Sequence, residues 1–271
     1  MGSGKRLIRA AGGWDAVSVV FDIGANDGAD FLRLAWLHPT VRFVAIEPTP
    51  SLAEALRQTA ANLSNYTVVQ CAVSTSEGQA EFHIIDGQNG GLNSLHSPQP
   101  FLFEHWAAGE AIENVQVSTK RLDRLAADLG IDHIDVLHVD TQGSDLDALR
   151  SAGSLLETVK AGVVEVTQPE HRLYEGTPTP DDVARFLWDA DFSIVRVLPN
   201  DSLGAEKNIL FARQSSGWSA LYHRLYPIMF AWPSVFHPLV TGYIYSRRLR
   251  RRVALRTRWR RFRDNRVNEP T

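Results

Sequence analysis

A short glycine-containing loop at residues 22–28 carries the clearest chemical signal in this sequence. It reads Asp-Ile-Gly-Ala-Asn-Asp-Gly, and it follows an apolar run and precedes a predicted helix. Glycine lets a backbone turn sharply and lie close to a ligand. The spacing differs from G-x-G-x-x-G, and the two aspartates would disfavour a pyrophosphate. We therefore predict a ligand with a cationic group here. The predicted contacts are Asp22, Gly24, Asn26 and Gly28.

A second acidic residue, Glu47, stands at the end of the next predicted strand, 25 residues after Asp22. A carboxylate in that position can accept hydrogen bonds from both hydroxyls of a ribose. We assign Pro48 and Ala72 to the same pocket. An acid, a glycine turn and a strand-end glutamate together predict a site for an adenosine with a positively charged tail, and S-adenosylmethionine is such a ligand. The alternative is a tight turn beside a surface glutamate.

Four further polar residues follow or belong to two later predicted strands, and we predict catalytic roles for Asp140, His138 and His171. Asp140 and Glu165 lie at strand ends, where ligands of open α/β sheets bind. His138 is two residues before Asp140 and so shares its face of the strand. His171 follows Glu165 by six residues.

These residue types leave two chemical interpretations open. Asp140 and Glu165 could hold Mg²⁺ through oxygen ligands, or Asp140 or a histidine could act directly as a base. The structural alternatives are that Asp140 caps the helix beginning near Ser144 and that Glu165 pairs with an arginine.

Strand and helix patterns alternate along most of the chain. The predicted strands are 17–22, 41–46, 67–73, 80–85, 134–140, 161–166, 192–197 and 208–212. The predicted helices are 28–37, 51–62, 121–129, 145–151 and 181–189. Nearly continuous apolar strands in such an order predict a Rossmann-like α/β domain over residues 14–214, with a parallel sheet covered on both faces. The last two strands could form an antiparallel hairpin. The polar segment 87–97 is either a lid or acceptor-binding loop, or a disordered surface loop.

The sequence resembles the FkbM family of methyltransferases over roughly residues 17–213. The residues that carry the resemblance are 20–28, 45–48, 122–125, 139–145 and 164–166, which read VFDIGANDG, AIEP, LDRL, VDTQGSD and VEV. The resemblance implies a seven-stranded methyltransferase sheet and O-methylation of sugars, glycolipids or polyketide-type metabolites. Two positions depart from the family pattern: His138 stands where the family usually has lysine, and Asp145 where it usually has glutamate.

We therefore predict an S-adenosylmethionine-dependent O-methyltransferase acting on a hydroxyl of a sugar, glycolipid or related metabolite. An NAD-dependent oxidoreductase shares the sheet and the strand-end acid, but the missing G-x-G-x-x-G disfavours it. A catalytically degenerate methyltransferase-like binding module is the other alternative.

Charge is divided unevenly along the chain. Residues 217–271 contain twelve arginines, no lysine and only two acidic residues, a balance of +10, whereas the remainder carries −13. Hydrophobic residues make up 44% and charged residues 22%, which are ordinary globular values that disfavour disorder for most of the chain. The single cysteine excludes an intrachain disulfide, which favours a cytoplasmic location.

The segment 217–271, which we call the C-terminal extension, is rich in aromatic residues and arginine, and we predict that it is helical. Residues 225–245 contain no Asp, Glu, Lys or Arg, and five arginines follow between 247 and 252. This pattern is typical of a segment at an anionic membrane surface, and we predict such contact through residues 218–263. Self-packing or a homodimer is the alternative. The acidic main domain makes nucleic-acid binding unlikely.

Overall fold

The computed structural model describes residues 3–85 and 90–213. The strands in this part of the chain are β1 Val19–Ile23, β2 Arg42–Ile46, β3 Tyr66–Val69, β4 Ala72–Val73, β5 Gly78–Ile85, β6 Ile112–Lys120, β7 Val136–Val139, β8 Ala161–Thr167, β9 Phe192–Pro199 and β10 Glu206–Arg213. The α-helices are α1 Ser3–Ala10, α2 Leu32–Leu37, α3 Pro50–Thr59, α4 Pro100–His105, α5 Leu122–Asp128, α6 Asp145–Ser151 and α7 Pro180–Asp189. Three short 3₁₀ turns are Trp14–Ala16, Gly153–Thr158 and Pro169–His171.

Seven strands form one sheet in the order β3-β2-β1-β7-β8-β10-β9. The first five are parallel to one another, and β10 runs antiparallel to both β8 and β9. The predicted seven-stranded α/β sheet and its terminal hairpin are therefore confirmed. Because β1 and β7 are adjacent and parallel, the residues that follow them meet at one edge of the sheet.

Both faces of the sheet are covered by helices, which explains why β1 and β7 are fully buried and apolar except for Asp22 and His138. On one face, α5, α6 and α7 contribute buried leucines and Val183 to the core. On the other face, α1, α2 and α3 contribute residues that include Leu7, Ile8 and Leu56. Each such side chain contributes about 1.5–3 kcal/mol when it is fully buried. The predicted domain boundary at residue 14 leaves out α1, although its Leu7 and Ile8 are buried in this core.

A second, three-stranded sheet has the order β4-β6-β5. The prediction of one strand over 67–73 was wrong, since β3 ends at Val69 and β4 pairs with β6 in the second sheet. The apolar run gave no sign of this break at Gln70 and Cys71. We did not predict β6 or α4. In the described ranges, no helix has both the length and the apolar character needed to cross a bilayer. The predicted C-terminal extension lies outside the described residues.

Candidate active site

A cavity of about 220 Å³ opens where β1, β2 and β7 end. The predicted site residues that line it are Asp22, Gly24, Asn26, Glu47, Pro48, Ala72, His138 and Asp140. Further lining residues that we did not predict include Asp30, Cys71, Phe82, Asn93, Leu95, Thr141, Gln142 and Ser144. The cavity therefore brings together residues from both halves of the parallel sheet. Burial raises the pKa of the Cys71 thiol to about 11, so this residue is a neutral part of the wall.

The loop after β1 is held against the strands on both sides. The backbone N–H groups of Gly24 and Ala25 both donate to the carbonyl of Ile46, at 2.9 and 3.0 Å. Gly24 has φ +80°, and a Cβ added there would lie 1.8 Å from the carbonyl oxygen of Asp140. Glycine is therefore required at position 24, because the turns after β1 and β7 touch through their backbones.

Glu47 is buried, and backbone hydrogen bonds hold both its carboxylate oxygens. Its Oε2 accepts from the Asn26 N–H at 2.9 Å, and its Oε1 accepts from the Thr49 N–H at 2.8 Å. Burial raises the pKa of Glu47, and the hydrogen bonds from Thr49 and Asn26 oppose that rise. Each carboxylate oxygen has more than one acceptor site. Glu47 can therefore still accept hydrogen bonds from a ligand in the cavity.

Asp22 and His138 form a buried ion pair in the cavity wall. His138 Nδ1 lies 2.9 Å from Asp22 Oδ1, and His138 Nε2 lies 3.7 Å from Asp30 Oδ2. Burial lowers the pKa of His138, but its contact with Asp22 and the nearby carboxylates outweigh burial and raise it to about 9. Burial raises the pKa of Asp22, and His138 opposes this. His138 thus supplies a cation at the position where the resemblance led us to expect lysine.

Gln142 connects the turn after β7 to three other parts of the site. Its Nε2 donates to Asp140 Oδ1 at 3.0 Å and to Glu165 Oε2 at 2.8 Å. Its Oε1 lies 2.9 Å from the hydroxyl of Tyr174, which is also 3.0 Å from the Leu92 carbonyl. Gln142 has φ +53°, an uncommon backbone conformation for a residue other than glycine. The surrounding contacts hold this conformation, which places the amide between the two carboxyl groups.

Buried carboxyl groups surround Asp140 on the side away from the cavity. Burial and then the charge of Asp140 raise the pKa of Asp145 to about 7 and that of Glu206 to about 8. The same two causes raise the pKa of Glu165. Such groups hold protons at pH values where an exposed carboxyl has lost its own. The predicted arginine partner of Glu165 is replaced by amides, because Asn200 also donates to it.

Asp145, the second departure from the family pattern, closes the turn after β7. Its Oδ1 accepts from the Thr141 N–H at 3.1 Å and its Oδ2 from the Gly143 N–H at 3.0 Å. Asp140, by contrast, lines the cavity. No side chain caps α6, whose N-cap residue is Ser144, so Asp140 does not have the capping role that was one alternative for it.

Three predicted site residues lie away from the cavity lining. Gly28 packs under α3, since a Cβ there would lie 2.7 Å from Leu56 Cδ1. Glu165 lies behind Gln142. His171 stacks on Phe101, with ring centroids 4.9 Å apart, and its buried Nδ1 makes no hydrogen bond within the described residues. The structure therefore brings Asp140 and His138 together at the cavity but places His171 elsewhere.

The candidate metal site is not supported by the geometry. Within residues 3–85 and 90–213, no group of three or more His, Cys, Asp or Glu side chains is arranged to hold a metal ion. Both oxygens of Glu165 accept hydrogen bonds from amides. Asp140 and Glu165 are thus linked through Gln142 rather than through an arrangement that would fit Mg²⁺.

Part of the predicted lid segment packs over the cavity. Residues 86–89 lie outside the described residues, but Asn93 donates to Thr49 Oγ1 at 3.1 Å and accepts from the Ile85 N–H at 2.9 Å. Ser94 Oγ donates to the Gln142 carbonyl at 2.6 Å. Buried polar contacts of this kind exclude the disordered-loop alternative for residues 90–97. The segment joins the second sheet to the turn after β7.

Comparison with known proteins agrees with this arrangement. The sequence model of the methyltransferase FkbM domain matches residues 22–194. The chain is 29% identical over 164 residues to the 2-O-methyltransferase NoeI of Sinorhizobium fredii, covering 58% of this chain and 66% of NoeI. It is 27% identical over 172 residues to the methyltransferase sdnD of Sordaria araneosa, covering 55% of this chain and 66% of sdnD.

The chain thus spans just under two thirds of the length of these relatives. The solved structure of a methyltransferase FkbM from Methylobacillus flagellatus superposes with a TM-score of 0.48 at 15% identity, covering 72% of this chain and 43% of that one. The family model covers more than half of the sequence, including the loop after β1 and the turn after β7. The protein therefore belongs to the methyltransferase FkbM domain family.

Proposed function

We propose that this protein is an S-adenosylmethionine-dependent O-methyltransferase that acts on a hydroxyl of a sugar, glycolipid or related metabolite. The observation that carries the proposal is the placement of two buried carboxylates, Asp22 and Glu47, in the same cavity as Asp140. Family membership makes an NAD-dependent oxidoreductase the weaker alternative. The name of NoeI as a 2-O-methyltransferase supports an oxygen acceptor.

The residues around the cavity fit the cofactor. Asp22 Oδ1 lies 2.9 Å from His138 Nδ1, whereas the buried Oδ2 has no hydrogen-bond partner among the described residues, so a ligand ammonium group would give Oδ2 a partner. Glu47, fixed by two backbone N–H groups, would accept from the ribose hydroxyls. Gly24 allows close approach of a ligand to the backbone. When bound, S-adenosylmethionine supplies an electrophilic methyl group.

Asp140 is the residue that we assign as the general base. Gln142 donates to its Oδ1, and we place the proton from the acceptor hydroxyl on Oδ2. The attacking oxygen becomes more nucleophilic as Asp140 removes that proton. Glu165 and Glu206 are buried near Asp140, and their pKa values are raised. Their protons would be shared with Asp140 and so spread its negative charge over the three carboxyl groups.

Neither predicted histidine suits the role of the base at neutral pH. His138, with a pKa of about 9, is protonated there and would stabilise the charge of Asp22. His171 does not line the cavity, and its ring packs on Phe101. We therefore propose His138 as a group that orients Asp22, with no proton transfer to the acceptor.

Titration calorimetry with S-adenosylmethionine, S-adenosylhomocysteine and NAD tests the proposal. We expect both sulfur-containing ligands to bind and NAD not to bind, because the loop after β1 has acidic residues where a pyrophosphate would lie. Methyl transfer to a panel of sugars, glycolipids and lipid-free analogues should follow, detected by mass spectrometry. Binding without transfer to any hydroxyl would favour the degenerate binding module.

For the C-terminal extension, we propose contact between residues 218–263 and an anionic membrane surface. The support is the uncharged aromatic run followed by an arginine cluster, each arginine contributing about 1 kcal/mol near such a surface. The intact chain should sediment with anionic vesicles at low salt and be released as salt rises. Changing the five arginines between 247 and 252 to glutamine should abolish sedimentation. An intact chain that stays in the supernatant would favour self-packing or a homodimer instead.

A further inference from the structure

A second cavity, of about 240 Å³, borders the first. The two cavities share Leu95 and Ser144 in their walls. The other walls come from the start of β5, the end of β6 and the first turn of α6. No residue of this second cavity was among our predicted site residues, and none has a role in the function proposed above.

The shared wall contains a hydroxyl that lacks a partner. Ser144 is only 4% exposed, and its Oγ makes no hydrogen bond within the described residues. Thr141 Oγ1, in the same turn and in the wall of the first cavity, is in the same situation. A buried hydroxyl without a partner is energetically unfavourable, so it commonly marks a place where a ligand or solvent molecule donates or accepts. Ser144 is such a hydroxyl in the wall that the two cavities share.

The remaining lining indicates the chemical class of such a ligand. Eight of the ten lining residues are polar, among them Ser76, Gln79, His96 and Asp147, and none is lysine or arginine. Burial lowers the pKa of His96, so its ring is neutral at pH 7 and can both donate and accept a hydrogen bond. Glu77 and Asp147 line the cavity, and Arg150 pairs with Asp147 at 3.2 Å from outside the lining. The carboxylate of Glu77 and the lack of a lining cation disfavour a phosphate or a carboxylate ligand. Hydroxyl groups, which both donate and accept, suit this wall.

We propose that the second cavity is the subsite for an uncharged, hydroxyl-rich ring of the acceptor, such as a neutral hexopyranose. This inference rests on the proposed function, because it places the acceptor beside the methyl donor at the wall formed by Leu95 and Ser144. It narrows the acceptor to sugars without phosphate or acid groups on the ring that is held. Ser144 and Asp147 would bind ring hydroxyls.

Saturation-transfer NMR with protein loaded with S-adenosylhomocysteine tests the subsite. The probes are methyl glucoside, galactoside, mannoside and fucoside, with glucose 6-phosphate and glucuronate as charged counterparts. We expect at least one neutral glycoside to bind, and the charged sugars to give at least tenfold weaker signals. Binding of the charged sugars in preference would overturn the proposal, as would the absence of binding by every neutral glycoside.

Filling the cavity should remove this binding. Gln79 is exposed on β5 and lines the second cavity, so the indole of Gln79→Trp would fill that cavity without disturbing the core. Gln116→Trp is the matched control, because Gln116 is exposed in the same sheet and lines neither cavity. We expect Gln79→Trp to weaken glycoside binding at least tenfold and the control to behave like the unmodified protein. Equal binding by both variants would show that the sugar binds elsewhere.

Ser144→Ala provides a second test that does not depend on filling space. Because its hydroxyl has no partner in the described part of the fold, the variant should keep the thermal midpoint and lose several-fold in glycoside affinity. Unchanged affinity would contradict the subsite. Calorimetry with S-adenosylhomocysteine separates the two levels of the argument: if the unmodified protein fails to bind it, the proposed function fails. If it binds and glycoside binding ignores Gln79→Trp and Ser144→Ala, only the subsite fails.

Discussion

Two regions of one sheet edge hold carboxyl groups by different means. At the ends of β1 and β2, backbone N–H groups fix Glu47 and the imidazole of His138 accompanies Asp22. At the ends of β7 and β8, side-chain amides contact Asp140 and Glu165, and no lysine or arginine pairs with them in the described residues. In the first region, the imidazole of His138 compensates the charge of Asp22. In the second region, burial and the charge of Asp140 raise the pKa values of Glu165 and Glu206.

Under the proposed function, the first region binds the cofactor and the second takes part in the reaction. Groups fixed by backbone hydrogen bonds keep one position and one charge, which suits binding of a ligand that is the same in every turnover. Carboxyl groups whose pKa values are raised toward neutrality can exchange protons, which suits a reaction that releases one. Variants at Asp140, Glu47 and Gln142 separate these two roles.

The largest effect should come from Asp140→Asn. The variant keeps the shape of the side chain but removes the charge that accepts the proton, so we expect turnover to fall by roughly 10²–10⁴-fold. Affinity for S-adenosylhomocysteine, measured by calorimetry, should stay within a few-fold. Asp189→Asn, an exposed substitution at the end of α7, is the control. Turnover close to that of the unmodified protein would remove Asp140 as the base.

Glu47→Ala should act on binding instead. Loss of a charged acceptor removes about 1.5–3 kcal/mol for each ligand hydrogen bond, so the Kd for S-adenosylmethionine should rise at least tenfold. Turnover at saturating cofactor should change less. Glu54→Ala, on the exposed surface of α3, serves as the comparison in the same calorimetric titration. If a folded Glu47→Ala protein bound the cofactor normally, Glu47 would have no part in the pocket.

Gln142→Glu should give a smaller and more specific change. It replaces the amide that donates to Asp140 and Glu165 with another carboxyl of nearly equal shape. We expect kcat to fall about tenfold and the pH profile of kcat to move to higher pH, because an added acid raises the pKa of its neighbours. A change confined to KM would contradict a positioning role. Gln142→Leu, which lacks the charge, should lower kcat without moving the profile as far.

The free energy of unfolding should also depend on pH. The folded pKa values of Asp145 and Glu206, about 7 and about 8, lie above those of an unfolded chain, about 4. The folded state therefore holds more protons between about pH 4 and pH 8, and its free energy of unfolding falls as pH rises. The slope is about 1.4 kcal/mol per pH unit for each extra proton.

Urea unfolding between pH 5 and pH 8 measures this slope. Glu206→Gln should flatten the dependence, since the variant has no proton to lose. His138, with a folded pKa of about 9, acts in the same direction between about pH 6.5 and pH 9. A free energy of unfolding that did not fall between pH 5 and pH 8 would show that the buried carboxyls are ionised in the folded state.

The sequence predicted the part of the site that depends on strand ends. Asp22, Glu47 and Asp140 stand directly at the carboxyl ends of apolar strands, and the topology of a parallel sheet brings such positions together. The fold class followed from the alternation of strand and helix patterns along the sequence. The missed strand β6 had a signal, because Val115, Val117 and Thr119 alternate with polar residues, the period of a half-buried strand.

The rest depended on contacts between distant segments. Gln142 contacts the hydroxyl of Tyr174 through its side chain and that of Ser94 through its carbonyl, and no local pattern encodes these contacts. The same is true of Ser144. Its hydroxyl, which has no hydrogen-bond partner in the described residues, points to a ligand site only because Ser144 and Leu95 line both cavities. Gly28 was predicted to contact the ligand because it belongs to the glycine motif. It does not line the cavity, and it allows Leu56 of α3 to pack closely against the loop.

The contact of Gly24 with the carbonyl of Asp140 has a consequence for how such a chain can diversify. Because any side chain at position 24 would collide with the carbonyl of Asp140, the loop after β1 and the turn after β7 keep one position relative to each other. Under the proposed function, this contact fixes the methyl donor relative to the base. The edges of the second sheet lie outside it, so a change of acceptor there would leave the distance between donor and base unaltered.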